Sequence, residues 1–123
     1  MMTLDQYKPG GTGVMATADA KGVVNTAIYA FPRRIDEQTV AWGMTARRVY
    51  QNLRENPNAS YLYIEPGGGY RGFRLTLRLK ELVESGPALE EVRENTRKVS
   101  SPAAADAVRA LAYFTIVETR PLV

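Results

Sequence analysis

The stretch TVAWGMTARRVYQNLRENPNASYLYI, residues 39–64, decides how this chain folds. Its first six residues are mostly apolar, with the β-branched and aromatic members that favour strands. Thr45 then suits a helix N-cap. Ala46, Val49, Tyr50 and Leu53 recur at helical spacing and give one apolar face. Asn56-Pro57 ends the helix, because a residue before proline avoids the helical region. Residues 59–64 return to strand composition. Two arginines, Arg47 and Arg48, fall in the first turn of the predicted helix. A helix N-terminus carries partial positive charge, so cations there are unfavourable by about a few tenths of a kcal/mol or more. An anion held between the helix end and the arginines would remove that penalty.

Working outward, residues 3–7 read as a short helical turn ended by Lys8-Pro9-Gly10-Gly11. Residues 12–18 form a strand candidate, residues 19–22 have turn composition, and residues 23–31 complete a hairpin. Residues 32–38 read as a polar connection. On the other side, GFRLTLRLKELVE alternates cleanly: Phe73, Leu75, Leu77 and Leu79 point one way, and Arg74, Thr76, Arg78 and Lys80 the other. That is a half-buried antiparallel strand. Residues 87–99 read as a helix with Leu89, Val92 and Val99 inward. Residues 102–111 form a second short helix, or a continuation broken at Ser100-Ser101-Pro102, and residues 112–119 a last strand. The pattern is mainly β, with about six strands and two or three helices. Short connections predict an antiparallel sheet, and six short strands on one core suit a small closed or split barrel plugged by helices.

The chain of 123 residues has the length of one domain, residues 1–123. It is 45% hydrophobic and 24% charged, a balance that supports a packed core rather than global disorder. Sixteen Lys and Arg against thirteen Asp and Glu leave a net charge of +3, a small surplus that does not argue for nucleic acid. There is no cysteine and no histidine. Disulfides, thiolate chemistry, Cys/His zinc sites, Ser–His catalysis and histidine-ligated haem are therefore excluded. Chemistry must come from a bound cofactor, a carboxylate, Tyr, Lys or Arg. The opening MMTLDQYKPGG has no apolar core of the signal-peptide kind, and no run approaches about 18 apolar residues. A cytoplasmic protein without membrane contact is expected.

Several motifs have plain explanations. GGGYRG, residues 67–72, spells G-x-G-x-x-G, but it leads into the alternating strand at Phe73 rather than into a helix. It reads as a flexible hairpin loop, since the dinucleotide motif needs a strand–turn–helix context. The basic face of Arg74, Thr76, Arg78 and Lys80 fits a solvated strand face that discourages edge pairing. Tyr61, Tyr63, Tyr70, Trp42, Tyr113 and Phe114 fit core or interface packing before cofactor stacking. Glu65, Glu81, Glu84, Glu90 and Glu91 are scattered and form no recognisable acid–base pair. Thr45, Arg47, Arg48 and Asn52 remain open between two readings. One is an ordinary amphipathic helix with solvated arginines. The other is a phosphate site, with free backbone N–H groups, charge-assisted bonds from both arginines, the Thr45 hydroxyl, and Asn52 facing back toward the ligand.

In the order of these segments, residues 12–82 resemble the FMN-binding split-barrel proteins of the pyridoxamine 5′-phosphate oxidase-like superfamily. GVMATADAKGVVNTA is followed by the stretch quoted above and by a strand ending in LKELVESGP. RR at Arg47-Arg48, NL at Asn52-Leu53 and ENP at Glu55-Asn56-Pro57 match that pattern. VNT at residues 24–26, followed by WGM, is similar to the small bacterial FMN-binding proteins. The resemblance implies a six-stranded antiparallel split β-barrel of Greek-key type and a homodimer with FMN at the subunit interface. It places the FMN phosphate against Arg47, Arg48 and the helix start. Backbone groups of Asn25, Thr26 and Ala27 would meet the isoalloxazine edge, and Trp42, Gly43 and Met44 would flank the ribityl chain and ring. Arg48 stands where many members have Lys, and Val49 where several have Ser or Thr. The extra C-terminal segment of true pyridoxamine phosphate oxidases is lacking, and so is the histidine of haem-degrading relatives, so neither activity is expected.

The expected function is thus FMN binding, as a flavin-dependent oxidoreductase or electron carrier with a small-molecule electron donor or acceptor and with no protein residue standing out as catalytic. A binding module without turnover, holding a flavin, deazaflavin or other phosphate-bearing ligand, is the alternative. A small barrel binding nucleic acid through the Arg74–Lys80 face would instead show steep salt dependence.

Overall fold

The 12-residue strand Gly72–Val83 shows how the sequence builds the sheet: Phe73, Leu75 and Leu77 are buried while Arg78 and Lys80 are exposed. The computed structural model describes residues 4–123. After a 3-10 turn at Leu4–Gln6 come β1 (Thr12–Ala18), β2 (Val24–Ile28), β3 (Arg33–Asp36), β4 (Thr39–Thr45), α1 (Arg48–Leu53), β5 (Asn58–Ile64), β6 (Gly72–Val83), α2 (Pro87–Val99), α3 (Pro102–Ala107) and β7 (Val108–Pro121). Residue 3 of the predicted first turn lies outside the described residues. The strands form one sheet in the order β2-β1-β5-β6-β7-β4-β3, and every pairing is antiparallel.

The sheet has two faces and each buries a cluster. Met15, Val40, Trp42, Met44, Tyr61, Tyr63, Phe73, Leu75, Leu77 and Phe114 fill the barrel interior. Its aromatic rings meet at tilted and edge-on angles, Trp42 against Tyr61 at 4.8 Å between centroids and Phe31 against Tyr63 at 4.8 Å. Such pairs add to the stabilisation from area burial alone. On the other side of β4 and β7, Ala41, Val108 and Leu111 pack against Leu89 and Val92 of α2. Gly43 permits this second layer, because a Cβ there would lie 2.7 Å from Val92 Cγ1.

Four local expectations are corrected. The sheet has seven strands instead of six, because residues 33–36 pair with β4 through Arg33↔Ala41 and Arg34↔Val40. All four side chains of β3 are exposed, so no apolar alternation marks it. The last strand starts at Val108, which ends α3 at Ala107 rather than at residue 111. Val99 is 75% exposed, since the inward stripe of α2 runs through Leu89, Val92 and half-buried Thr96 and stops before the last residue. Finally, Thr45 closes β4 instead of capping α1. Arg47 occupies the N-cap with extended backbone (φ −118°, ψ −163°), and Ala46 is exposed, so the buried stripe of α1 is Val49, Tyr50, Asn52 and Leu53.

Candidate functional site

Opposite the end of β4 the ladder is broken by a bulge in β7: Met44 pairs with Ala110 but Thr45 pairs with Val108, which leaves Arg109 as the extra residue. An extra residue in one strand kinks the ladder and redirects the chain. Immediately after, Arg47 N–H donates to Thr45 O at 2.8 Å, a three-residue turn that carries the backbone into α1. The first helical bond is Gln51 N–H to Arg47 O at 3.0 Å. The amides of Arg48, Val49 and Tyr50 therefore precede the ladder, and no side chain caps them. Arg47 and Arg48 are exposed beside these amides. The ion pairs among the described residues use Arg33, Arg34, Arg71, Arg93, Arg97 and Arg120 instead, and neither Arg47 nor Arg48 makes a side-chain hydrogen bond there.

Facing this corner is β2, an end strand of the sheet. Tyr29 N–H donates to Gly13 O at 2.9 Å and Asp19 N–H to Val23 O at 3.0 Å, which brackets the β1–β2 ladder. Bonded and non-bonded pairs alternate in an antiparallel ladder. Asn25 and Ala27 therefore spend their backbone groups on β1, whereas Thr26 and Ile28 turn theirs to the open edge.

Between the β2 edge, the end of β4 and the start of α1 lies a cavity of about 530 Å³, lined by residues 25–30, 43–45 and 47–49. Eight of the ten predicted site residues meet there: Asn25, Thr26, Ala27, Gly43, Met44, Thr45, Arg47 and Arg48. Trp42 and Asn52 do not. Both are buried behind the wall, where the Trp42 indole N–H donates to Ala30 O at 2.8 Å and the Asn52 amide donates to Thr17 Oγ1 at 3.1 Å. Thr17 pairs with Asn25, so Asn52 supports the wall from its rear. Sequence reasoning missed Ile28, Tyr29, Ala30 and Val49. The alternation Asn25-Ala27-Tyr29 along β2 was the available signal for Tyr29.

Among the described residues no carboxylate lines the cavity, and its two formal charges, Arg47 and Arg48, are both positive. Burial pushes the Tyr29 phenol up to about 12, so it stays a neutral donor at ordinary pH. Tyr61, which supports the same wall, is raised further by burial and then by neighbouring Tyr63. None of the residues lining the cavity is a His, Cys or carboxylate that could act as nucleophile or acid–base pair. Among the described residues no cluster of three or more metal-ligating side chains occurs. The arrangement offers an anion-binding corner, a strand edge with free donors and acceptors, and a partly apolar wall.

No family model matches the sequence, and no curated protein matches it either. Solved structures do. An FMN-binding protein from Syntrophomonas wolfei subsp. wolfei is 17% identical, with 98% of this chain and 81% of that one covered at a TM-score of 0.79. The chain has the split-barrel fold of that protein. A FAD-binding protein from Mesorhizobium loti shares this split barrel at 19% identity over 89% of this chain and 83% of its own, TM-score 0.65. An F420 reductase does so at 20% identity over 89% and 88%, TM-score 0.66. The split barrel recurs with different flavin-type ligands, so the choice of ligand rests on the residues of each cavity.

Proposed function

We propose that this chain binds FMN between two copies of itself and works as a flavin-dependent oxidoreductase or electron carrier, exchanging electrons with a small-molecule donor or acceptor. The observation that carries the reading is the pairing of two guanidinium groups, free of partners among the described residues, with three uncapped amides at one end of a cavity whose opposite wall is an open strand edge. A phosphate dianion suits the first feature. A planar ring with alternating donors and acceptors on its edge suits the second. The cavity's size falls within the roughly 300–1,000 Å³ typical of cofactor sites.

In this reading Arg47 and Arg48 hold the phosphate, Thr45 adds a hydroxyl, and the free backbone groups of Thr26 and Ile28 orient the ring. Gly43 and Met44 form the wall along the ribityl chain. Trp42 and Asn52 support that wall without touching the ligand. The bound flavin supplies electron or hydride transfer, and the protein residues bind, orient and shield it. A second copy is supported by the outward face of β2 and its neighbours. Ile28 is 73% exposed and stands in register with Val14 and Leu62, and Val24 is 78% exposed beside Ala18. Two exposed apolar side chains that continue into half-buried Val14, Leu62 and Ala18, beside the cavity, fit a surface that a second copy covers.

The test is the visible absorption spectrum of the purified protein, before and after adding FMN and desalting. Retained flavin bands, with a dimer mass in solution, support the reading. A colourless protein that releases all added FMN overturns it. Turnover with NADH or NADPH separates the oxidoreductase from the binding module.

A further inference from the structure

The backbone at Tyr29 and Ala30 is held by residues from three other strands. Trp42 Nε1–H at 2.8 Å and Tyr61 Oη–H at 2.7 Å both donate to Ala30 O, occupying both of its lone pairs. Tyr29 N–H is bonded to Gly13 O at 2.9 Å. Gly13 lies so close beneath that a Cβ there would come within 2.3 Å of Tyr29 O and 2.0 Å of Tyr61 Oη. Two large buried aromatic side chains and a glycine thus converge on one dipeptide. Convergence of this kind fixes the direction of whatever that dipeptide carries.

What it carries is a phenol. Tyr29 lines the cavity and its ring packs against the barrel core. The phenols of Tyr50, Tyr61 and Tyr63 all hydrogen-bond within the protein. The hydroxyl of Tyr29 has no such partner among the described residues. The residue is half-buried while its hydroxyl stays accessible, so that hydroxyl is free to bond a ligand. Its raised pKa means that it keeps its proton and can only act as a neutral donor or acceptor.

We propose that Tyr29 is a side-chain hydrogen-bond donor to the flavin ring system, distinct from the phosphate donors, and that Trp42, Tyr61 and Gly13 hold it in place. This rests on the flavin reading above. Arg47 and Arg48 would then fix one end of the ligand and Tyr29 the ring at the other.

The experiment is an FMN titration of the full chain, followed by flavin fluorescence and by the absorption bands of the bound flavin, for wild type, Tyr29→Phe and Tyr61→Phe. Phenylalanine keeps the ring and so the packing. Tyr29→Phe is expected to weaken FMN binding about five- to tenfold, the value of one neutral hydrogen bond, and to shift the bound-flavin bands. Tyr61→Phe keeps the Tyr29 hydroxyl but loosens its support, so it gives a smaller weakening and a smaller band shift. Wild-type protein that binds FMN while Tyr29→Phe shows the same affinity and the same bands overturns this inference alone. Wild-type protein that takes up no FMN overturns the flavin reading and this inference with it.

Discussion

The two ends of the barrel treat their polar groups in opposite ways. At the end formed by the Gly67–Gly69 loop, the charged groups and the Tyr63 hydroxyl form a paired network. Glu65 accepts Arg71 Nε–H at 3.0 Å and Lys8 N–H at 3.0 Å, and Arg71 also donates to Gln6 O at 3.0 Å. The Tyr63 hydroxyl donates to Lys8 O and accepts from Gly11 N–H at 2.8 Å. The Arg71 guanidinium lies 5.2 Å over the Tyr7 ring. At the other end, Arg47 and Arg48 have no side-chain partners among the described residues, and three helix amides precede the ladder. The lesson is that a closed network marks groups that hold the fold, whereas charge left unpaired around a cavity stays available to a ligand, which is what the proposed phosphate site requires.

The largest effect that separates the two ends is on ligand affinity. Replacing both Arg47 and Arg48 with alanine removes two charge-assisted contacts of about 1.5–3 kcal/mol each. FMN affinity should fall by at least about a hundredfold in a fluorescence titration, with the melting temperature nearly unchanged. The mirror experiment is Arg71→Ala. It leaves the Glu65 carboxylate, whose side chain is only 10% exposed, with Lys8 N–H alone. A loss of about 1–3 kcal/mol in stability is expected, seen as a drop of several degrees by calorimetry, with FMN affinity unchanged. Reversal of these two outcomes would break the contrast between the ends.

A smaller effect sharpens it. The Tyr29 phenol is shifted from 10.0 to about 12 in the folded chain, because burial disfavours its charged form. The fold therefore binds that proton more tightly than the unfolded chain does. Its contribution to stability is fully present below pH 10 and is lost as the pH rises toward 12. Denaturant unfolding across that window should show Tyr29→Phe losing less stability than wild type, while both behave alike between pH 7 and 9. Equal alkaline slopes for the two proteins would contradict the assigned burial.

Much of this was legible in the sequence, for identifiable reasons. The alternation from Phe73 and the break at Asn56-Pro57 are local signals that burial and proline geometry enforce. Arg47 and Arg48 were conspicuous because two cations at a helix start have no local compensation. β3 was not legible, since its residues are all exposed and only its backbone pairs with β4. The start of α1 was misplaced because Thr45 still pairs with Val108 beyond the bulge at Arg109 of β7, and no composition rule signals a bulge. Trp42 was expected at the ligand from the family resemblance and Asn52 from its place one to two turns into the helix, yet each spends its donor on the protein behind the wall. The role of Tyr29 depends on the Ala30 carbonyl meeting two side chains from distant strands, a coincidence that no single segment encodes.

The central claim is that the Arg47–Arg48 corner exists for a phosphate. The most direct measurement compares FMN with riboflavin, which lacks only the phosphate, by equilibrium titration of the wild-type protein and of the Arg47→Ala, Arg48→Ala double variant. FMN should bind wild type far more tightly than riboflavin does, and the gap should close in the double variant. Equal affinity of wild type for the two ligands, or a gap that survives loss of both arginines, would contradict the account.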